Sequence, residues 1–166
     1  MKNRLFLALP AILDDYEAIQ NDFAEALEGR WVPPANLHLT LSFFGRVDDP
    51  EALEEKLSSL KMTLTPSIIG GMGCFVRKKI LFATVENPSL EALYEEVNTF
   101  FELPVRRPFV GHVTLMRFKR IVDEAKFDEA LEGYRDCRIG VLGAHPLLMQ
   151  STLQPEGAKY SEIRRY

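Results

Sequence analysis

Ten residues recur 74 positions apart, and no other feature of the chain limits its possible folds as strongly. The segment from His38 to Val47, His-Leu-Thr-Leu-Ser-Phe-Phe-Gly-Arg-Val, aligns without a gap on His112 to Ile121, His-Val-Thr-Leu-Met-Arg-Phe-Lys-Arg-Ile. Five positions are identical and two more exchange one aliphatic residue for another. The match extends outward, with Pro34 falling on Pro108 and Asp49 on Asp123. Self-similarity of this kind is read before any single element, because it decides the architecture. The simplest architecture that satisfies it is two related lobes joined by a pseudo-twofold relation.

Each copy reads as a strand followed by a helix. Arg4 to Leu9 is a β-compatible apolar run closed by Pro10, and Ile12, Tyr16, Ile19, Phe23 and Leu27 recur at helical spacing up to Gly29. Trp31-Val-Pro-Pro34 is a stiff connection. Leu37 to Phe44 is a strand ended by Gly45, and Asp49-Pro50 forms an N-cap and first-turn pair for a helix through Leu60. Thr65 to Gly71 and Ile80 to Glu86 read as strands flanking a loop that holds Arg77, Lys78 and Lys79. A helix follows with Leu90, Leu93, Tyr94, Val97 and Phe100 on one stripe. Gly111 to Phe118 is a strand, Asp123 opens a short helix, and Arg138 to Tyr166 supplies two or three further strands. The expected total is about eight strands and four helices.

Within the repeated strand, residues two apart share a face. His38 and Thr40 therefore point together, as do His112 and Thr114, while Leu39, Leu41, Val113 and Leu115 point into an apolar layer. If the pseudo-twofold sets the strands side by side, two imidazoles and two hydroxyls converge on one cleft. Opening a cyclic phosphodiester needs one group to take a proton from water and another to give one to the departing ribose oxygen. Imidazoles suit both tasks near neutral pH, and threonine hydroxyls can donate to the phosphate oxygens as charge redistributes. The scheme calls for no metal and no cofactor.

At 166 residues the chain is long enough to bury a core without staples. Its net charge of −4 argues against coating nucleic acid by bulk electrostatics, yet leaves room to grip one terminal phosphate. The opening MKNRLFLALP is too short in apolar residues for a secretory segment or a membrane span. Cys74 and Cys137 show neither metal-ligand nor disulfide spacing. The expectation is a soluble, unprocessed, cytoplasmic monomer.

With the motifs His38-Leu39-Thr40-Leu41 and His112-Val113-Thr114-Leu115 in view, the sequence resembles the 2H phosphoesterase superfamily, and within it the RNA 2′,3′-cyclic phosphodiesterase family, also known as the 2′-5′ RNA ligase family. The likeness also takes in Arg4-Leu5-Phe6, the Asn36 to Leu41 segment closing on Phe44-Gly45, Arg107-Pro108-Phe109, and Arg117, five residues beyond the second histidine. The resemblance implies an α+β fold with two antiparallel β-sheet lobes, outer helices and a central cleft. It implies hydrolysis of RNA 2′,3′-cyclic phosphate ends to 2′-phosphomonoesters, with His38 as proton donor and His112 as proton acceptor. The residues themselves leave that polarity open. RNA ends, tRNA fragments or small cyclic nucleotides are the expected substrates.

Arg117 is carried over as a phosphate contact, although simple alternation places it off the His112 face unless the strand bulges. Phe6 is a candidate for stacking an unpaired base, set against a place in the core. Arg77-Lys78-Lys79 and Arg164-Arg165 are candidates for the cleft rim or for solvated faces. His145 falls outside the pattern, and the run Gly70-Gly71-Met72-Gly73, read as a loop, matches no motif. Two other functions compete with hydrolysis: ligation of tRNA halves without ATP, since no P-loop is present, and recognition of RNA ends without turnover.

Overall fold

The computed structural model describes residues 4–166, so Met1–Asn3, part of the opening segment read for a targeting signal, lie outside it. The strands are β1 (Arg4–Leu13), β2 (Leu27–Trp31), β3 (His38–Arg46), β4 (Ser67–Phe75), β5 (Ile80–Val85), β6 (His112–Ile121), β7 (Arg138–Leu142), β8 (Leu147–Gln154) and β9 (Gly157–Arg165). The helices are α1 (Tyr16–Phe23), α2 (Pro50–Ser58), α3 (Pro88–Phe100) and α4 (Glu124–Gly133). Among the described residues no helix is long and apolar enough to cross a membrane.

All pairings are antiparallel, and they sort into two sheets. One runs β3-β1-β8-β9. The other runs β2-β6-β5-β4-β7 and ends on the last three residues of β1, Ala11–Leu13. The offset of 74 carries β1-α1-β3-α2 onto β5-α3-β6-α4. The lobes are not the two sequential halves, because the C-terminal hairpin β8-β9 crosses back to complete the first sheet. β3 and β6, the two copies of the repeat, lie next to each other where the lobes meet. Asp49 and Asp123 cap α2 and α4 in the same way, each accepting from the backbone N–H three residues on, at 3.0 and 3.1 Å.

The repeat reaches down to a shared irregularity. Leu7 pairs with Ser42 and Ala8 with Thr40, so Leu41 is an extra residue on β3. Leu81 pairs with Met116 and Phe82 with Thr114, so Leu115 is its counterpart on β6. At each bulge two successive residues turn inward: Leu41 and Ser42, then Leu115 and Met116, are all buried.

Several sequence expectations are corrected. β1 does not stop at Pro10. It continues to Leu13, because Pro10 sits at the seam where the strand leaves one sheet for the other and its missing N–H interrupts no ladder. The first helix is shorter at both ends: Asp15 caps it at Ala18, Ile12 lies on β1 with 74% of its surface exposed, and Leu27 opens β2. Tertiary pairing overrides the helical spacing there, with Gly29 letting β6 approach so closely that a Cβ would stand 2.4 Å from the Arg117 carbonyl oxygen. β2 brings the strand count among the described residues to nine. The glycine run Gly70–Gly73 is not a loop but lies inside β4. Phe100, placed on the buried stripe of α3, is half exposed, and Asn98 is buried instead.

Candidate active site

The two histidines are held identically. Nδ1 of His38 lies 2.7 Å from the carbonyl oxygen of Asn36, and Nδ1 of His112 lies 2.8 Å from that of Val110. A carbonyl can only accept, so both Nδ1 atoms carry a proton, leaving Nε2 in each ring as the nitrogen free to exchange one. Asn36 is itself tied to β9 through Nδ2 and the Ala158 carbonyl, at 3.4 Å.

Aromatic walls flank both rings. Phe6 and Tyr160 lie 5.2 and 5.3 Å from the His38 ring, centroid to centroid, and Phe75 and Phe82 lie 5.3 and 5.6 Å from His112. Phe75 and Phe82 stack on each other at 4.2 Å. Gly73 makes that stack possible, since a Cβ there would meet the tip of Phe82 at 2.6 Å.

The rings differ in their surroundings. Burial pulls His38 below the ordinary imidazole range; the hydrogen bond to Asn36 opposes the shift, and the charge of nearby His112 adds to it. That coupling places the two imidazoles within electrostatic reach across the β3 and β6 contact.

A cavity of about 310 Å³ opens beside Thr40 and His112, walled by Phe75, Ile80, Tyr94 and Phe109, with Lys78 and Arg106 at its lining. His38 lines a smaller recess of about 50 Å³ with Phe6 and Tyr160. Thr114 shares the His112 face, two residues along β6.

Arg117 lies on the same face as His112, contrary to simple alternation. The bulge at Leu115 reverses the parity, so Arg117 pairs with Ile80 on the side where Thr114 pairs with Phe82. Phe6 is corrected in the other direction: at 4% exposure it has no face to offer a base and serves as a wall for His38. Its partner on β3, Phe43, is 54% exposed on the site face and occupies the repeat position of Arg117. The offset of 74 would have found it. Tyr160 reaches the site only through the C-terminal hairpin, and no local pattern marks it. Arg164 and Arg165 pair with Glu54 and Glu162, and exposed His145 faces the Tyr166 carbonyl, all away from the histidine pair. Cys74 and Cys137 are unbonded thiols.

The family described as LigT like Phosphoesterase matches residues 7–76. A protein of Methanocaldococcus jannaschii named RNA 2′,3′-cyclic phosphodiesterase is 30% identical, across 98% of this chain and 99% of the relative. The chain belongs to the LigT-like phosphoesterases. A second relative of the same name, from Aquifex aeolicus, is 28% identical across 97% of this chain and 93% of its own length. Crystal structures of E. coli LigT share the LigT-like fold. The complex with 3′-AMP superposes with a TM-score of 0.74 at 20% identity, covering 100% of this chain and 98% of LigT. The complex with NADP+ gives 0.72 at 22% identity, covering 99% and 96%. This LigT-like phosphoesterase carries His38 and His112 on two copies of one strand.

Proposed function

We propose that this LigT-like phosphoesterase hydrolyses RNA 2′,3′-cyclic phosphate ends to 2′-phosphomonoesters by acid and base catalysis from His38 and His112, without a metal. The observation that carries the proposal is the matched pair of imidazoles, each fixed through Nδ1 to the carbonyl two residues before it, on adjacent strands. His112 Nε2 takes the proton from the attacking water. His38 Nε2 gives one to the O3′ atom as the P–O3′ bond breaks, leaving the phosphate on O2′. The two proton transfers lie on opposite sides of an in-line displacement.

Thr40 and Thr114 donate to the non-bridging oxygens, and Arg117 adds a charge-assisted contact to the same phosphate. The exposed ring of Phe43 on the same face supplies a platform for the terminal base. Burial favours neutral His38 near pH 7 in the free protein, and a bound phosphate anion raises its affinity for the proton it must donate.

The test is incubation of a nucleoside 2′,3′-cyclic phosphate in excess EDTA with the product phosphate located by NMR. A 2′-phosphate is expected, and His38→Ala and His112→Ala should each lower kcat on the order of 10²–10⁴-fold. Full activity in either variant rejects the paired mechanism, a 3′-phosphate rejects its polarity, and loss of activity in EDTA rejects metal independence.

A further inference from the structure

Neighbouring cations take different places at the edge of the cleft. Arg107 Nε donates to Glu95 at 3.0 Å, and Lys79 Nζ donates to the Lys119 carbonyl at 3.0 Å, so the protein itself occupies both. Their chain neighbours Arg106 and Lys78 instead line the cavity beside His112 and Thr40. Among the described residues neither Arg106 nor Lys78 makes an ion pair. The nearest aromatic partner of Lys78 is the Phe75 ring, with Nζ 5.6 Å from its centroid. Two unpaired cations on one cavity, in a chain of net charge −4, make a local positive field that suits an anion.

A hydrogen bond fixes one side of the cavity. The Tyr94 hydroxyl accepts the backbone N–H of Arg106 at 2.8 Å and so fixes the segment that carries the guanidinium. Tyr94 stacks on Phe109 at 4.4 Å, giving the cavity an apolar wall. A volume of about 310 Å³ is at the small end of ligand pockets, near what one nucleoside fills. A further anion held by these cations would therefore be the phosphate on the 5′ carbon, separated from the cyclic phosphate by the ribose, with the base against the aromatic wall.

We propose that Lys78 and Arg106 bind the phosphate on the 5′ side of the terminal nucleoside, so that the cleft selects the end of an RNA chain over an isolated cyclic nucleotide. The proposal rests on the cyclic-phosphate reading above and adds the residues that would measure chain continuation. Arg106 can offer paired N–H donors to a phosphate, and Lys78 a point charge.

The experiment compares adenosine 2′,3′-cyclic phosphate with its 5′-phosphorylated form. The wild-type protein should prefer the 5′-phosphorylated substrate by about tenfold in kcat/KM, and the K78Q/R106Q variant should bring that ratio close to one. The absence of a preference in the wild type, or a preference that survives in the variant, overturns the proposal. Calorimetry reads the same subsite without turnover, using adenosine 2′-phosphate and adenosine 2′,5′-bisphosphate. An affinity advantage of the bisphosphate that disappears in K78Q/R106Q upholds the subsite even if neither cyclic compound is hydrolysed, an outcome that would reject the phosphodiesterase reading alone. Equal affinities in the wild type overturn the subsite whatever the turnover.

Discussion

The side-chain amide of Asn98 donates to the carbonyl oxygen of Leu41 at 3.0 Å, joining the last turn of α3 to the bulge in β3. The same amide also donates to the Tyr94 carbonyl at 2.7 Å, which accounts for a polar side chain only 4% exposed in the core. At the second bulge a different set of donors meets the same need. The Leu115 carbonyl accepts the Val32 N–H at 2.8 Å and lies 3.0 Å from the Tyr16 hydroxyl, whose pKa burial raises to about 12. Both bulges set the parity of a histidine strand, so both carbonyls pushed out of the ladder must be satisfied.

Asn98→Leu keeps the volume and removes the donor. The change should destabilise the protein by about 1–3 kcal/mol, the cost of a buried acceptor left without a partner. Urea denaturation checks this, and an unchanged midpoint would show that the Leu41 carbonyl finds another donor.

The lowered pKa of His38 gives the pH profile a sign that separates the two polarities. If His38 is the proton donor, kcat/KM falls as pH rises through its free-enzyme value, which lies below the ordinary 6.5, while the limb in kcat lies higher because bound phosphate favours the imidazolium. If His38 is the base, kcat/KM rises with pH through that value. The shift also enters stability. The unfolded chain takes up the proton first, so the contribution of neutral His38 is whole above pH 6.5 and is lost as pH falls through the folded value. Rate profiles in the wild type and His112→Ala, with melts at matched pH, test both statements.

The histidine strands were legible because one repeat carried them twice, and a period-2 pattern places His38 with Thr40 and His112 with Thr114 without knowledge of the fold. Simple alternation misplaces Arg117 for a physical reason: a bulge adds one residue and reverses parity, and neither Leu41 nor Leu115 is a residue that announces it. β2 was hidden because Leu27 completes a helical spacing begun by Ile12, while the pairing that overrides it comes from β6, some 90 residues away. Tyr160 and Arg106 reach the cleft through packing of distant segments, which leaves no local trace. The glycine run looked like a loop because its purpose, space for the Phe82 ring, is visible only across the sheet.

Gly73→Ala tests that purpose. The added methyl would meet Phe82 at 2.6 Å, and Phe82 is only 6% exposed and already stacked on Phe75, so the ring must shift against His112. Overpacking should cost about 1–3 kcal/mol. It should also lower kcat more than it alters KM, by displacing a positioned imidazole. A variant with wild-type kcat would separate the aromatic wall from the chemistry.

Ser42 offers a change of the opposite sign. Among the described residues its buried hydroxyl has no hydrogen-bond partner, at the position that the second copy fills with Met116. Ser42→Ala should stabilise the protein by about 1 kcal/mol by removing an unsatisfied group. Thermal denaturation would show a higher Tm; a lower one would mean that the hydroxyl is satisfied in solution.

Phe43 and Arg117 hold the same place in the two copies yet have different chemistry, and this difference gives the cleft two unlike sides. A guanidinium on a phosphate acts as the charge redistributes, so Arg117→Ala should lower kcat/KM on the order of 10²-fold, with partial recovery in Arg117→Lys. An aromatic platform acts on the base alone. Phe43→Ala should raise KM for adenosine 2′,3′-cyclic phosphate by about tenfold, from a stacking loss of about 1–3 kcal/mol. It should leave KM for ribose 2′,3′-cyclic phosphate, which lacks the base, where it was. If Phe43→Ala weakens both substrates equally, the ring shapes the strand rather than reading the base. If Arg117→Ala spares kcat/KM, the parity reversal at Leu115 serves packing and not the phosphate.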